Sequence, residues 1–201
     1  MKPAVPFVGL TGGMGAGKST ALQALERLGA AVQSSDAVVH ELYEGPELRE
    51  AVIERWGREV APGGVVDRSA IAERAFAQDE ERSWLEGLLW PLVGARVAAW
   101  LADVRAGTSR WGPHPRAAVV EVPLLFEAGL EGLYDATIAV ISEESLRRER
   151  AARRGHALAE ERAVRQLSQG EKARRATFTV ENDGTERDLE AALRAVLDKL
   201  S

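Results

Sequence analysis

The sequence predicts an α/β fold in three layers, a mostly parallel sheet with helices on both faces, and three observations carry that expectation. A short apolar run meets a glycine-rich loop that opens straight into a helical pattern, all within residues 5–25. Further strand-like runs near 30–34, 117–122, 135–141 and 177–180 are separated by helical sequence, the pattern of right-handed parallel crossovers. Between the second and third runs, the strand signal vanishes for about eighty residues of helical spacing, which reads as an insertion.

Val5 to Leu10 is short, partly β-branched and free of charge, as a strand buried on both faces is. Directly after it comes Gly12-Gly13-Met14-Gly15-Ala16-Gly17-Lys18-Ser19-Thr20. Gly12, four residues, then Gly17-Lys18-Ser19 is the spacing in which glycines let backbone N–H groups wrap a polyphosphate. Lys18 would reach the β- and γ-phosphate oxygens and Ser19 would offer its hydroxyl to Mg²⁺. The helix beginning near Lys18 would turn its positive end toward the phosphates. Thr20 adds a second hydroxyl. A nucleoside triphosphate site follows from this loop in this context; the acceptor of the γ-phosphate does not.

The first helix is expected to stop at Leu28-Gly29, with glycine as the terminator, and 30–34 to form the second strand. Asp36 comes just beyond. It could lie in the crevice at the carboxyl ends of the strands, where ligands of parallel sheets gather, or cap a helix starting at Ala37.

Residues 37–116 read as a helical lobe. Leu48, Val52, Ile53 and Trp56 share a helical face, Gly57 and Pro62-Gly63-Gly64 interrupt it, and Ser69 to Phe76 forms another helical run. Glu80 to Arg105 gives a long helix expected to kink or break at Pro91. The third strand, ending in Glu121-Val122, leads into Pro123-Leu124-Leu125-Phe126-Glu127.

After the fourth strand, residues 145–175 carry ten Lys and Arg against four Glu, a local +6 in a chain of net charge −5. Beside a phosphate loop, such a segment reads as an anion-binding lid rather than a solvated face. Two helices are expected there around a Gly155-His156 turn, the second at about 158–169. The last strand is followed by an Asn182-Asp183-Gly184 turn. Thr185 to Leu200 closes the chain as an amphipathic helix with Leu189, Leu193, Val196 and Leu197 on one side.

Composition narrows the function classes. The 201 residues include no cysteine, which removes disulfides, thiolate metal sites and cysteine nucleophiles. The N-terminus lacks the pattern of a signal peptide, and Leu88 to Val104 is interrupted by Pro91, Arg96 and Asp103, which reads as too charged for a membrane span. The expectation is a cytoplasmic monomer with neither a membrane nor a nucleic-acid partner. His114 and His156 stand alone as surface residues. The guanine-reading Asn-Lys-x-Asp and the switch Asp-x-x-Gly of GTPases are both missing, and Glu121 is only a faint echo of the acidic strand end of motor ATPases.

Several segments together resemble one family. Gly9-Leu10-Thr11 with the loop through Thr20, Asp36 to His40 followed by Glu41-Leu42, Val66-Asp67-Arg68, Pro123 to Glu127, and Asn182 with Gly184 look like dephospho-CoA kinases, in order and spacing, over essentially the whole chain. The resemblance implies a nucleoside-monophosphate-kinase-like P-loop fold. In it, 1–36, 117–144 and 176–201 form the nucleotide-binding core, 37–116 a helical CoA-substrate lobe and 145–175 a basic lid. It also implies transfer of the ATP γ-phosphate, with Mg²⁺, to the 3′-hydroxyl of dephospho-CoA. ATP would be held by Gly12 to Thr20 and Asn182, and Mg²⁺ by Ser19. Asp36, His40, Asp67 and Arg68 would line the dephospho-CoA site. Lys18, Asp36, Arg150 and Arg154 would carry the chemistry, with Asp36 as base and the two arginines one helical turn apart on the lid. Three positions depart from the family pattern: Ser34-Ser35-Asp36 for Asp-Ala-Asp, Trp90-Pro91 for His-Pro, and Ala176-Thr177 for Ala-Asp. Shikimate kinase shares the loop, but its Gly-Gly-Gly and Arg-Pro-Leu-Leu segments are missing here. A nucleotide-binding regulator would need neither Asp36 nor the lid arginines.

Overall fold

The computed structural model describes residues 5–153 and 166–200. Its sheet contains β1 (Phe7–Gly12), β2 (Ala31–Ser34), β3 (Ala118–Glu121), β4 (Ala136–Ile141) and β5 (Phe178–Glu181), in the order β2-β3-β1-β4-β5. Every pairing is parallel. The three inner strands are apolar almost without interruption because both their faces are covered: all four residues of β3 are buried, as are the first five of β4.

The chain divides into two compact units, one running to Ser34 and resuming at Leu101, the other spanning Ser35–Trp100. The first unit holds the sheet with α1 (Lys18–Arg27), α6 (Glu144–Arg153), α7 (Gln169–Arg175) and α8 (Glu186–Leu200). In its core, Ala21, Ala24 and Leu25 of α1 and Leu189, Leu193 and Leu197 of α8 close over Val8, Leu10, Val119, Ile138 and Val140. The second unit is helical. It contains α2 (Ser35–Glu44), α3 (Pro46–Trp56), α4 (Arg68–Ala77) and most of α5 (Asp79–Ala106), around Val38, Leu42, Leu48, Val52, Val60, Ile71, Ala75 and Leu85.

Four expectations need adjustment. Pro91 does not end its helix: α5 runs from Asp79 to Ala106 with the proline inside. A proline at that point removes one donor and crowds the preceding turn, but Leu88, Leu89, Leu92 and Val93 on either side of it pack, partly buried, on the second core and hold the helix in place. By length and composition alone α5 is long and apolar enough to cross a membrane, where the sequence reading took Leu88 to Val104 as too charged, and some of its apolar residues pack on that core. Strands β3 and β4 are joined by turns and a short 3-10 helix, Glu131–Leu133, not by an α-helix. The helix α7 begins at Gln169, where the expected helix of 158–169 was to end, and residues 158–165 fall outside the described ones.

Candidate active site

The carboxyl end of β1 passes into the phosphate loop and then α1. Gly17 stands at the N-terminus of α1 with φ 92°, and no side chain caps the helix. Its first N–H groups are therefore directed at whatever anion the loop holds. Gly17 is glycine for two reasons: the left-handed backbone, and a Cβ there would lie 2.1 Å from Asn182 Nδ2. That amide donates to the Ala16 carbonyl at 2.9 Å. Inside the loop, Ala16 N–H and Lys18 Nζ both donate to the Gly13 carbonyl at 3.2 Å. Ser19 is exposed on the first turn of α1.

Asn182 is thus the loop's outer support, buried just past β5. Its own carbonyl accepts from Arg150 at 3.0 Å, and the same guanidinium donates to Ser142 Oγ at 3.2 Å. The Ser142 hydroxyl donates to Asp183 Oδ1 at 2.7 Å, and Glu143 N–H does so at 2.7 Å. The Glu143 N–H and then the Ser142 hydroxyl hold the Asp183 carboxyl below its ordinary pKa. Gln169 at the start of α7 brackets Ser142, accepting from its N–H at 3.0 Å and donating to its carbonyl at 2.8 Å. Arg150, expected over the phosphates, is here a brace between α6 and the turn after β5.

A second network lies beneath the loop. Lys172 of α7 is fully buried and donates to Glu127 Oε1 at 2.9 Å, the Pro123 carbonyl at 2.7 Å and Thr11 Oγ1 at 3.3 Å. Glu127 Oε1 also accepts from Leu167 N–H at 2.7 Å. Burial pushes the Lys172 ammonium below its ordinary pKa, while the hydrogen bond to Glu127 opposes this. The Pro123–Glu127 segment therefore ties β1 to α7. Glu121, the last residue of β3, is 7% exposed and lies in register with Leu10 and Ser34, an acidic strand end beside the loop strand.

In the helical unit two of the expected residues, His40 and Arg68, meet. Arg68 lies 2.8 Å from His40 Nε2, and His40 approaches Glu44 at 3.9 Å. Asp67 caps α4, accepting from Ser69 N–H at 2.8 Å and Ala70 N–H at 3.3 Å. Asp36 falls in the first turn of α2, exposed. The helix begins at Ser35 rather than Ala37, so Asp36 is not its N-cap. Arg154 and His156 lie outside the described residues, and His114 is exposed.

Sequence reasoning gave Ser142 and Gln169 no role, and it counted Arg147 and Lys172 only among the ten cations of the basic segment. For Glu121 a signal existed: a carboxylate ending an apolar strand. For the others the signal lies in distances across the fold.

Comparison with known proteins gives the same grouping. A sequence profile described as dephospho-CoA kinase matches residues 6–188. A dephospho-CoA kinase from Deinococcus radiodurans is 38% identical over 196 residues, covering 96% of this chain and 91% of the relative. A crystal structure from Thermus thermophilus superposes with a TM-score of 0.80 at 33% identity, covering 99% of this chain and all of that one. A shikimate kinase from Acinetobacter baumannii reaches a TM-score of only 0.51 at 16% identity, covering 97% and 94% of the two chains, which is a likeness of P-loop kinase fold alone. With its phosphate loop, its sheet order and a family match across nearly its whole length, the chain belongs to the dephospho-CoA kinase family.

Proposed function

We propose how this chain carries out its family's reaction, transfer of the γ-phosphate of ATP to the 3′-hydroxyl of dephospho-CoA to give CoA and ADP. The observation that carries the reading is the braced loop, with Asn182 on Ala16 and an uncapped α1 N-terminus behind it. The loop N–H groups hold the phosphates, and Lys18 leaves the Gly13 carbonyl to neutralise the β- and γ-oxygens. Asp36 accepts a hydrogen bond from the acceptor hydroxyl, orients it in line with the γ-phosphorus and takes its proton late in transfer. Arg154 covers the transferring oxygens, joined by Arg150 if it exchanges its brace for phosphate. Residues 37–116 carry dephospho-CoA, with His40, Arg68 and Asp67 at the site, and 145–175 form the lid.

Mg²⁺ suits the donor set. Ser19, exposed on the first turn of α1, offers a hard oxygen. That fits an ion that takes one or two protein oxygens and completes its shell with phosphates and water. When bound, it would supply neutralisation of charge on the β- and γ-phosphates.

The test is a coupled ADP-release assay with Mg-ATP and dephospho-CoA, shikimate or no acceptor, the product being weighed by mass spectrometry. ADP release that depends on dephospho-CoA and yields CoA is expected; release with shikimate alone, or with no acceptor added, overturns the assignment. Replacing Asp36 with Asn should lower turnover by about 10²–10⁴ while leaving ATP affinity in place. Unchanged turnover would remove Asp36 as the base.

A further inference from the structure

Beyond its place in the basic lid Arg147 has no individual role above, yet its surroundings are unusual for a cation on a lid helix. It is partly buried in α6, with Nε donating to the Met14 carbonyl at 2.9 Å. One of its terminal nitrogens lies 3.0 Å from where a side chain on Gly13 would begin. Its neighbour Arg148 is paired with Glu144, but among the described residues no carboxylate pairs with Arg147. The contact is intimate on the backbone side as well. Gly15, at φ 74°, has no room for a side chain, because its Cβ would lie 2.4 Å from the Arg147 carbonyl oxygen.

Lys18 Nζ reaches the same stretch from the other direction, on Gly13, and the uncapped N-terminus of α1 starts a few residues on. Two cations and the positive end of a helix dipole thus converge on Gly13 and Met14. Like charges gathered in a partly buried place repel one another, and an anion among them relieves that repulsion. With Nε occupied by a carbonyl, the guanidinium keeps its terminal N–H donors, in the fork that matches phosphate oxygens.

We propose that Arg147 is a nucleotide-binding residue: anchored by the Met14 carbonyl, it contacts the phosphate chain of ATP from the outer edge of the loop. The proposal rests on the reading of this loop as an ATP site. It gives α6 a task distinct from that of Arg150, whose guanidinium is engaged with Asn182 and Ser142.

The experiment is calorimetric titration of Mg-ATP into the wild-type protein, Arg147→Gln and Arg147→Lys, with no acceptor present. Adenosine affinity and the thermal midpoint are measured on the same samples. Arg147→Gln should weaken Mg-ATP about tenfold or more, the scale of a lost charge-assisted hydrogen bond, and leave adenosine affinity unchanged. Arg147→Lys, which keeps the charge without the fork, should fall between the two, and added KCl should narrow the gap between wild type and Arg147→Gln. Equal Mg-ATP affinity in Arg147→Gln, or parallel loss of ATP and adenosine affinity, overturns the proposal. Acceptor-dependent turnover is read separately, so a wild-type protein inactive on dephospho-CoA would sink the acceptor assignment and leave the ATP titration to stand or fall alone.

Discussion

Asn182 controls the shape of the phosphate loop with one hydrogen bond. Truncating it to Ala leaves the Ala16 carbonyl without this donor beside a new void, a loss of about 1–3 kcal/mol. That should appear as a lower thermal midpoint, at about 2–4 °C per kcal/mol for a chain of this size, together with weaker Mg-ATP binding. Gly17→Ala should be worse for binding than for folding, since its methyl group would displace the same amide while the φ of 92° resists any side chain. Asp183 makes a prediction in pH. Its folded pKa is depressed below 3.8, so the unfolded chain takes up the proton first. Its stabilisation is complete above the ordinary carboxylate range and is lost as pH falls through the folded value. The thermal midpoints of wild type and Asp183→Asn should therefore differ most near neutrality and converge in acid; a constant offset at every pH would contradict this.

Among the elements, α5 and α7 invite the clearest measurements. Pro91 lies exposed inside α5, where proline is less favourable than alanine by about 3 kcal/mol. Pro91→Ala should raise the urea midpoint, and an unchanged or lower midpoint would mean that the local backbone is already shaped around the proline. The Lys172–Glu127 pair fastens α7 to β1 and to the turn after β3. Removing one partner strands the other in a buried place, so Lys172→Met and Glu127→Gln should each cost about 3–5 kcal/mol in urea unfolding. The double variant should cost clearly less than their sum; simple additivity would mean that the two side chains act independently.

For the whole molecule, the division into units sets an expectation for ligand response. Mg-ATP at a hundred times its dissociation constant adds about 2.7 kcal/mol to whatever unfolds with its site. Hydrogen exchange should show that gain in β1, β3, β4 and α1, with α3 little changed; equal gains would mean that the two units open together. The three inner strands were legible because strands covered on both faces read as nearly unbroken apolar runs, the edge strands β2 and β5 only as short runs between helices, and the phosphate loop because its spacing is dictated by an anion's shape. Arg147 was not, because its partner Met14 is 133 positions away, nor was the support of Ala16 by Asn182, 166 positions away. Pro91 misled because local propensity was outweighed by packing along α5. The strand order has a consequence for how such a chain comes into being. Both neighbours of β1, and the partner of β2 among the described residues, begin at or after Ala118. When synthesis has reached residue 117, β1 and β2 exist but no sheet does; the helices of the 35–100 unit have their partners, and α1 has only the unpaired β1 and β2 to pack on. The phosphate loop therefore gains its rigid setting late in synthesis, through long-range contacts of the kind that slow folding, and a nascent chain should acquire nucleotide affinity only after β4 and the Asn182 turn have emerged.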